Sequence, residues 1–349
     1  MTVSRGAGKA PTDADKDGKS RIDQLAKIAR LYHLEDVGQR QIAERLNVST
    51  ASVSRALARA RELGIVHITI NESPAASHSR LEIAMERRFG LRECLLVDRS
   101  EQLEQTYGAL AGRMGALLSR ILKPGTTLGL SWGETLKAVG ENLPSIPAAH
   151  VDVVPIIGAM GKIETGVYPN SIARTFAEKL GGNAYLVNTP AIVDTPATRS
   201  SIMADSNFDQ VRRLWRRLSA VILGVSGLSA DTSVHRGGIF SRSDLAEMRS
   251  RAGVCATNFI ILDAEGQPVA TQFSGRIVCL SLSEMKDIRN VVIVAAGDNK
   301  VGPLRAVLKS GVAHVLVTDV ACAKALMASG SQAGNRADFH DALPGGQSL

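Results

Sequence analysis

Short polar and basic side chains close to residue 50 have the types and spacing of a surface that contacts DNA. Arg55 could bond a guanine through two parallel N–H donors, and Ala51 could contact a thymine methyl group. Nearby hydroxyls could bond bases or phosphates, whereas the flanking arginines suit phosphates, which position a protein without specifying sequence. The predicted DNA-binding residues are Arg40, Ser49, Thr50, Ala51, Ser54, Arg55 and Arg59.

A second set of polar groups follows predicted strands in the larger part of the chain. Residues 131–135 join an apolar strand to a helix, and free N–H groups at a helix N-terminus favour anions. Hydroxyls in this turn, and a lysine that follows another strand, would add donors for a phosphate or sugar oxygen. The predicted effector-binding residues are Ser131, Trp132, Gly133, Glu134, Thr135, Asn170, Arg174, Gly227 and Lys300.

These effector-site candidates also have purely structural explanations. Glycine and serine in a strand-to-helix turn can serve only to make the turn, and Lys300 can simply be solvated in its loop. Asn170 and Arg174 lie one turn apart at a predicted helix start, where they can be a cap and a surface charge. The residues alone leave both explanations open.

Three carboxylates offer a different chemistry. Glu134, Asp231 and Asp298 could supply a general base for proton abstraction, as in a sugar-phosphate isomerase or deaminase. No pair of them stands out in a catalytic arrangement, so no catalytic residue is predicted. The four cysteines lie far apart, mostly in apolar segments, which is typical of reduced and buried thiols. No metal site and no cofactor besides the effector is predicted.

A helix-turn-helix at residues 39–58 would position the DNA-binding side chains. Apolar residues recur at helical spacing in two adjacent segments, so two helices can pack through these faces. The first face is Ile42, Ala43 and Leu46, and the second is Val53, Ala56, Leu57 and Ala60. An amphipathic helix over 21–32 would support them.

The turn and the end of this motif carry local signals of their own. Asn47 tolerates the left-handed conformation that a tight turn needs, and Ser49 can cap the second helix by accepting a backbone N–H bond. Gly64 stands where a helix end favours positive φ. The branched residues at 65–70 then predict a strand that forms a wing or a connector.

Beyond residue 80, apolar strands alternate with amphipathic helices. This alternation predicts a parallel sheet covered by helices on both faces, a Rossmann-like doubly wound α/β domain. The predicted strands are 93–98, 126–131, 151–158, 184–188, 220–226, 290–297 and 314–319.

Composition divides the chain into five segments. Both ends are polar, with almost nothing to bury, and a polar stretch containing a proline separates the two folded parts. The predicted segments are a disordered tail at 1–20, a winged helix-turn-helix DNA-binding domain at 21–70, a linker at 71–79, an effector-binding domain at 80–328 and a flexible tail at 329–349.

Length and charge set the broad class. A chain of 349 residues suits two domains, and its net charge of +7, with a pI near 9.4, favours a polyanionic partner without proving one. No apolar run reaches the ~18 residues of a membrane-spanning helix, and the first residues are unlike a signal peptide. We therefore predict a cytoplasmic, nucleoid-associated protein with no membrane partner.

Motifs across residues 22–327 resemble those of the SorC family of bacterial sugar-responsive transcriptional regulators, which is related to the DeoR group. Besides the helix-turn-helix, their order and spacing carry the resemblance. The motifs are LGLSWGETL at 128–136, VVPIIG at 153–158, NSIARTFAEKLGG at 170–182, GVSG at 224–227, AAGDNK at 295–300 and HVLVTDVACAKALM at 314–327.

The resemblance implies a larger domain that is similar to ribose-phosphate isomerase and glucosamine-phosphate deaminase and acts as a sensor. It implies that residues 131–135 and Lys300 line the sugar site, together with Asn170 and Arg174. The stretch GVCATN at 253–258 departs from the family pattern, which has glycines and an acidic residue there. The identity of the sugar and its phosphorylation therefore stay open.

We expect a DNA-binding regulator of carbohydrate catabolism whose operator affinity changes when a sugar, polyol or sugar phosphate binds. Its partners would be double-stranded operator DNA, the carbohydrate effector and further copies of itself. A homodimer or homotetramer is expected because one helix-turn-helix contacts few base pairs. The alternatives are an isomerase- or deaminase-like enzyme with a DNA-binding appendage, and a constitutive DNA binder with a vestigial larger domain. Repressor and activator stay equally open.

Overall fold

The computed structural model describes residues 13–67, 78–146, 150–160, 167–229, 232 and 239–328, with side chains from Arg21 onward. The chain forms two compact units, Met1–Pro74 and Ala75–Leu349. Each unit has a hydrophobic core of its own. Within these described ranges, no helix combines the length and apolar character needed to cross a membrane.

The first unit is built from α1 (Asp13–His33), α2 (Gln39–Leu46) and α3 (Thr50–Glu62). The apolar faces predicted for α2 and α3 pack against each other and against α1. The core residues are Ile28, Ala29, Leu31, Ile42, Ala43, Val53, Leu57 and Ala60. Because these side chains recur every three or four positions, each helix buries one stripe and leaves the other exposed.

Two features of the first unit differ from the sequence prediction. Helix α1 begins at Asp13, so part of the segment expected to be disordered is helical; aspartates in the first turn favour a helix N-terminus. Ile65 and Val66 form no strand, since their N–H groups both bond the carbonyl of Ala60 and close the end of α3. Residues 1–12 and 68–70, on which the rest of the predicted tail and wing falls, lie outside the described residues.

The second unit is centred on a six-stranded parallel sheet in the order β1-β8-β7-β4-β2-β3. Two further strands, β5 and β6, pair as a separate antiparallel hairpin. The strands are β1 (Glu93–Val97), β2 (Thr127–Leu130), β3 (Asp152–Pro155), β4 (Leu218–Leu223), β5 (Cys255–Thr257), β6 (Ile260–Leu262), β7 (Val291–Ala295) and β8 (Val315–Asp319).

Helices cover both faces of the sheet, as the alternating pattern predicts. Successive residues of one strand enter opposite cores: Val292 and Val294 of β7 face one helical layer, and Ile293 faces the other. The helices are α4 (Ser79–Phe89), α5 (Leu103–Ile121), α6 (Glu134–Asn142), α7 (Pro169–Leu180), α8 (Pro196–Ala204), α9 (Asp209–Trp215), α10 (Arg242–Ser250), α11 (Leu282–Lys286), α12 (Val301–Lys309) and α13 (Val320–Ala328). The Rossmann-like doubly wound prediction is confirmed.

The predicted strand at 184–188 is wrong, and the hairpin β5–β6 was not predicted. Ala184 makes only an isolated bridge to Val153. The backbone of Val187 is held instead by the Asn170 side chain, which accepts from its N–H at 3.0 Å and donates to its carbonyl at 3.1 Å. An asparagine amide can imitate a strand partner, which apolar periodicity cannot reveal. The flexible tail expected at 329–349 lies outside the described residues.

Candidate functional site

The turn between α2 and α3 has the geometry expected of a helix-turn-helix. Asn47 adopts the left-handed conformation with φ 52° and ψ 47°. The Ser49 hydroxyl accepts the backbone N–H of Ser52 at 3.1 Å and so caps α3. Both predictions are confirmed, because local chemistry decides the conformation at these two positions.

One side of α3 is buried and the other is free of acidic residues until its last position. Val53, Leu57 and Ala60 face the core of the first unit. All of the predicted DNA-binding residues on α3 are exposed, and the Arg55 guanidinium lies 3.4 Å from the Ser52 hydroxyl. The exposed set is Thr50, Ala51, Ser54, Arg55 and Arg59.

Two of the arginines predicted to contact phosphates, Arg40 and Arg59, are each held in an exposed ion pair. A guanidinium nitrogen of Arg40 lies 3.5 Å from a carboxylate oxygen of Glu44, and a guanidinium nitrogen of Arg59 lies 2.8 Å from a carboxylate oxygen of Glu62. Exposed pairs of this kind contribute only about 0–1 kcal/mol, so a phosphate can replace the carboxylate at little cost.

A cavity of about 620 Å³ lies at the carboxyl end of the six-stranded sheet of the second unit. It is lined by the segments that follow β1, β2, β4 and β7, together with the tip of the β5–β6 hairpin. Open α/β sheets bind ligands at the carboxyl ends of their strands, at the point where successive connections begin to run to the opposite side of the sheet.

Two glycine turns give the cavity its polar backbone floor. Gly133 (φ 129°, ψ 163°) precedes α6, and Gly297 (φ 107°, ψ 152°) precedes the short helix Asp298–Lys300. This backbone region is essentially restricted to glycine. Neither helix start has a side-chain cap on its N-cap glycine.

A hydrogen bond joins the residue that follows β2 to the tip of the β5–β6 hairpin. Ser131 is buried, and its hydroxyl donates to the Asn258 side-chain oxygen at 3.0 Å. Thr135 hydrogen-bonds Tyr107, whose pKa is raised mainly by burial. These groups keep fixed orientations, which favours selective contacts with a ligand's oxygens.

The cavity wall carries charges of both signs. The Lys300 ammonium donates to the carbonyl of Val225 at 3.1 Å. Arg99 pairs with Asp298; the hydrogen bond from Arg99 holds the pKa of that carboxyl below its usual range. Glu134 also lines the wall. A ligand can therefore meet a cation, a guanidinium and carboxylates within one cavity.

The structure brings some of the predicted effector residues together and separates others. Lys300 lies in one cavity with Ser131's neighbours Trp132, Gly133, Glu134 and Thr135. The cavity lining does not include Ser131, Asn170, Arg174 or Gly227. The Asn170 side chain instead orders residues 187–188. Asp231 lies outside the described residues.

Sequence reasoning missed several residues that build the site. Arg99, Tyr107, Asn258 and Phe259 line the cavity but come from segments with no glycine-rich turn. Asp319 was also missed: its buried carboxylate accepts the N–H of Gly297 at 2.9 Å. A carboxylate at the end of an apolar strand was the available signal for Asp319.

The cysteine prediction is confirmed. All four cysteines are unpaired and buried. Burial raises the pKa of Cys255, Cys279 and Cys322 to about 12, so their thiolates are scarce at neutral pH. Buried thiols of this kind act as small apolar groups.

Replacing Gly133 by Ala tests the glycine turn. A Cβ at Gly133 would meet no atom within 4 Å, so the expected loss of about 1–3 kcal/mol in unfolding free energy comes from backbone strain alone. Urea denaturation measures it. Gly112→Ala is the matched control, because Gly112 is exposed within α5 and also has free space; it should be neutral or stabilising by about 0.5–1 kcal/mol. Equal effects of the two changes would contradict the strain argument.

Most of the chain is similar to known proteins. A family model described as "Putative sugar-binding domain" matches residues 73–328. The sorbitol operon regulator of Klebsiella pneumoniae is 30% identical over 311 residues, covering 88% of this chain and 98% of the relative. Its full-length crystal structure superposes with a TM-score of 0.68 at 28% identity, covering 88% of this chain and 99% of that one.

Two further relatives carry other names. The deoxyribonucleoside regulator of Bacillus subtilis is 26% identical, covering 86% of this chain and 96% of its own. The erythritol catabolism regulatory protein EryD of Brucella abortus is 27% identical, and the matched region covers 87% of this chain and 96% of that relative. The similarity therefore extends across both compact units and over nearly the whole length of each relative.

Proposed function

This chain belongs to the SorC family of sugar-responsive transcriptional regulators, and we propose that α3 binds its operator while the cavity at the sheet edge binds a phosphorylated sugar or polyol. The chain is a sugar-modulated regulator of transcription. What is proposed is which residues perform each task and which effector chemistry is recognised.

The DNA-binding proposal is supported by the exposed face of α3. Its early residues, 50–55, would meet base edges, because the second helix of a helix-turn-helix enters the major groove by its N-terminal end. Arg55 is the residue with donors suited to a guanine. Arg40 and Arg59 would exchange their exposed carboxylate partners for phosphates.

The observation that carries the effector proposal is the convergence of two uncapped helix starts and Lys300 on one cavity. Helix N-termini bind anions through free N–H groups and the helix dipole, and an ammonium adds a full charge. The hydroxyl of Thr135 and the carboxylate of Glu134 suit the hydroxyl groups of a sugar. This combination fits a small molecule with an anionic group at one end and hydroxyls along its length.

Operator titration with and without effector tests the coupling. Sugars, polyols and their phosphates would first be screened by thermal shift, and the operator would be selected from random duplex DNA. A compound that binds should then change the operator Kd at fixed salt by about 5- to 150-fold, the usual range of allosteric coupling. An unchanged Kd at saturating ligand would contradict the proposal.

Replacing Lys300 by Met should weaken phosphorylated ligands selectively. Removing the ammonium is expected to raise the Kd of a sugar phosphate by at least ~10-fold, since charged hydrogen bonds contribute roughly 1.5–3 kcal/mol. The Kd of the unphosphorylated parent should change much less. Lys309→Met, at the other end of α12, is the matched control. Calorimetric titration measures the Kd of both ligands for the unmodified protein and for the two variants, and an equal loss for both ligands would remove Lys300 from the phosphate role.

We also propose a homodimer or homotetramer that senses its ligand without turning it over. Specific operators usually require two helix-turn-helix units about one DNA turn apart. Asp298, one of the candidate general bases, forms an ion pair with Arg99. Light scattering gives the assembly state, and product analysis with pentose and hexosamine phosphates tests for turnover.

A further inference from the structure

The tip of the β5–β6 hairpin has an unusual backbone. Asn258 and Phe259 form a two-residue turn, with φ of 47° and 65° respectively. Positive φ at both central positions defines the hairpin turn in which asparagine followed by glycine is strongly preferred. Asparagine fits this preference, whereas a bulky aromatic residue with positive φ is an outlier.

The surrounding structure holds this strained tip in place. Asn258 is buried, and its amide nitrogen lies 3.3 Å from the carbonyl of Ile156 and 3.4 Å from that of Leu280. The Phe259 ring, 2% exposed, packs edge-on against Trp132, with the ring centroids 5.1 Å apart, and in a tilted arrangement against Phe240, with the centroids 5.3 Å apart. Strained residues persist only where their neighbours enforce the conformation, and such residues cluster at ligand sites.

Phe259 stands between two cavities. It lines the 620 Å³ cavity and also a second cavity of about 560 Å³, whose wall includes Ile260 of the same hairpin. Within the described part of the chain, no other residue lines both. The second cavity is more apolar, with Ile261 and Ile277 in its wall. Phe259 is therefore common to the walls of the two cavities.

We propose that Phe259 is a specificity-determining residue whose ring closes the end of the effector cavity and limits the length of the ligand. This inference rests on the proposed effector role of that cavity. Glycine would form the same turn without strain, so the strained backbone serves to present the ring. Removing the ring joins the two cavities and admits longer chains.

The test compares Phe259→Gly and Phe259→Ala with the unmodified full chain. The probes are sugar and polyol phosphates from three to seven carbons, each scored by thermal shift and by calorimetric Kd. The unmodified protein should bind compounds only up to a certain number of carbons. For compounds at least one carbon longer than this limit, the Kd of both variants should be ~10-fold lower than the Kd of the unmodified protein. The Gly variant should melt at a higher temperature than the Ala variant, because only alanine keeps the backbone strain.

Phe240→Ala is the matched control, since Phe240 packs on Phe259 but is not part of either cavity wall. It should lower the melting temperature and leave the length limit unchanged. If the Phe259 variants bind the same compounds with the same length limit, or if the unmodified protein already accepts seven carbons, the length-limiting role of Phe259 is refuted and the effector role stands. If no compound binds any of the proteins, the effector proposal itself fails.

Discussion

Replacing Arg55 by Ala is expected to reduce operator selectivity strongly while leaving general DNA affinity largely intact. Its guanidinium is exposed on α3, beside the Ser52 hydroxyl. A bidentate contact with guanine discriminates by ~1–3 kcal/mol, and a pair of units would lose about twice that. Fluorescence anisotropy with the selected operator and with a scrambled duplex of equal length measures the ratio of the two Kd values.

Arg59→Ala provides the matched control for this experiment. Arg59 lies a turn further along α3 and is predicted to contact phosphate, so its loss should weaken both duplexes alike and reduce the salt dependence of binding by about one unit per helix. An Arg55 variant that keeps its full preference for the operator would show that this side chain does not contact a base.

Replacing Asp319 by Ala is expected to lower the unfolding free energy by about 2–6 kcal/mol. The carboxylate is fully buried and accepts two backbone N–H groups, those of Gly297 and Cys322, each at 2.9 Å. Each donor left unsatisfied in the interior costs ~1–3 kcal/mol. Such a loss is a large share of the ~5–15 kcal/mol that stabilises an ordinary protein. Urea denaturation of the full chain measures the change.

Two further variants distinguish the loss of the buried hydrogen bonds of Asp319 from the loss of a negative charge. Asp319→Asn retains one acceptor oxygen and should fall between Ala and the unmodified protein. Asp298→Ala removes an exposed carboxylate from the same loop and should leave the urea midpoint almost unchanged, since its pair with Arg99 is solvated. If Asp319→Ala and Asp298→Ala proved equally stable, the buried carboxylate would not be holding the Gly297 turn.

Local chemistry explains which parts of the molecule were predictable. Asn47 and Ser49 obey preferences set within four residues, and both have the predicted conformation. Long apolar runs predict the parallel sheet, and its carboxyl edge brings residues 132–135 close to Lys300. These inferences need only periodicity and a topological rule.

Long-range contacts explain what was missed. Asn258 bonds Ser131 across more than a hundred positions, so neither residue carries a local sign of the other. The branched residues Ile65 and Val66 suggested a strand, yet they close a helix by packing on the first unit's core. In each case a tertiary contact outweighs the local preference.

The pairing of β1 with β8 sets the order in which the molecule can be completed during synthesis. Strand β1 is at the sheet edge and has β8 as its sole sheet neighbour among the described strands. About 220 residues separate Val97 from Val315, which at ribosomal speed means roughly 10–40 s before the partner strand is made. Helices α1 to α3 need no such wait, because their core is contained within the first unit. The nascent chain therefore completes its three N-terminal helices well before it can close the sheet that carries the proposed effector cavity.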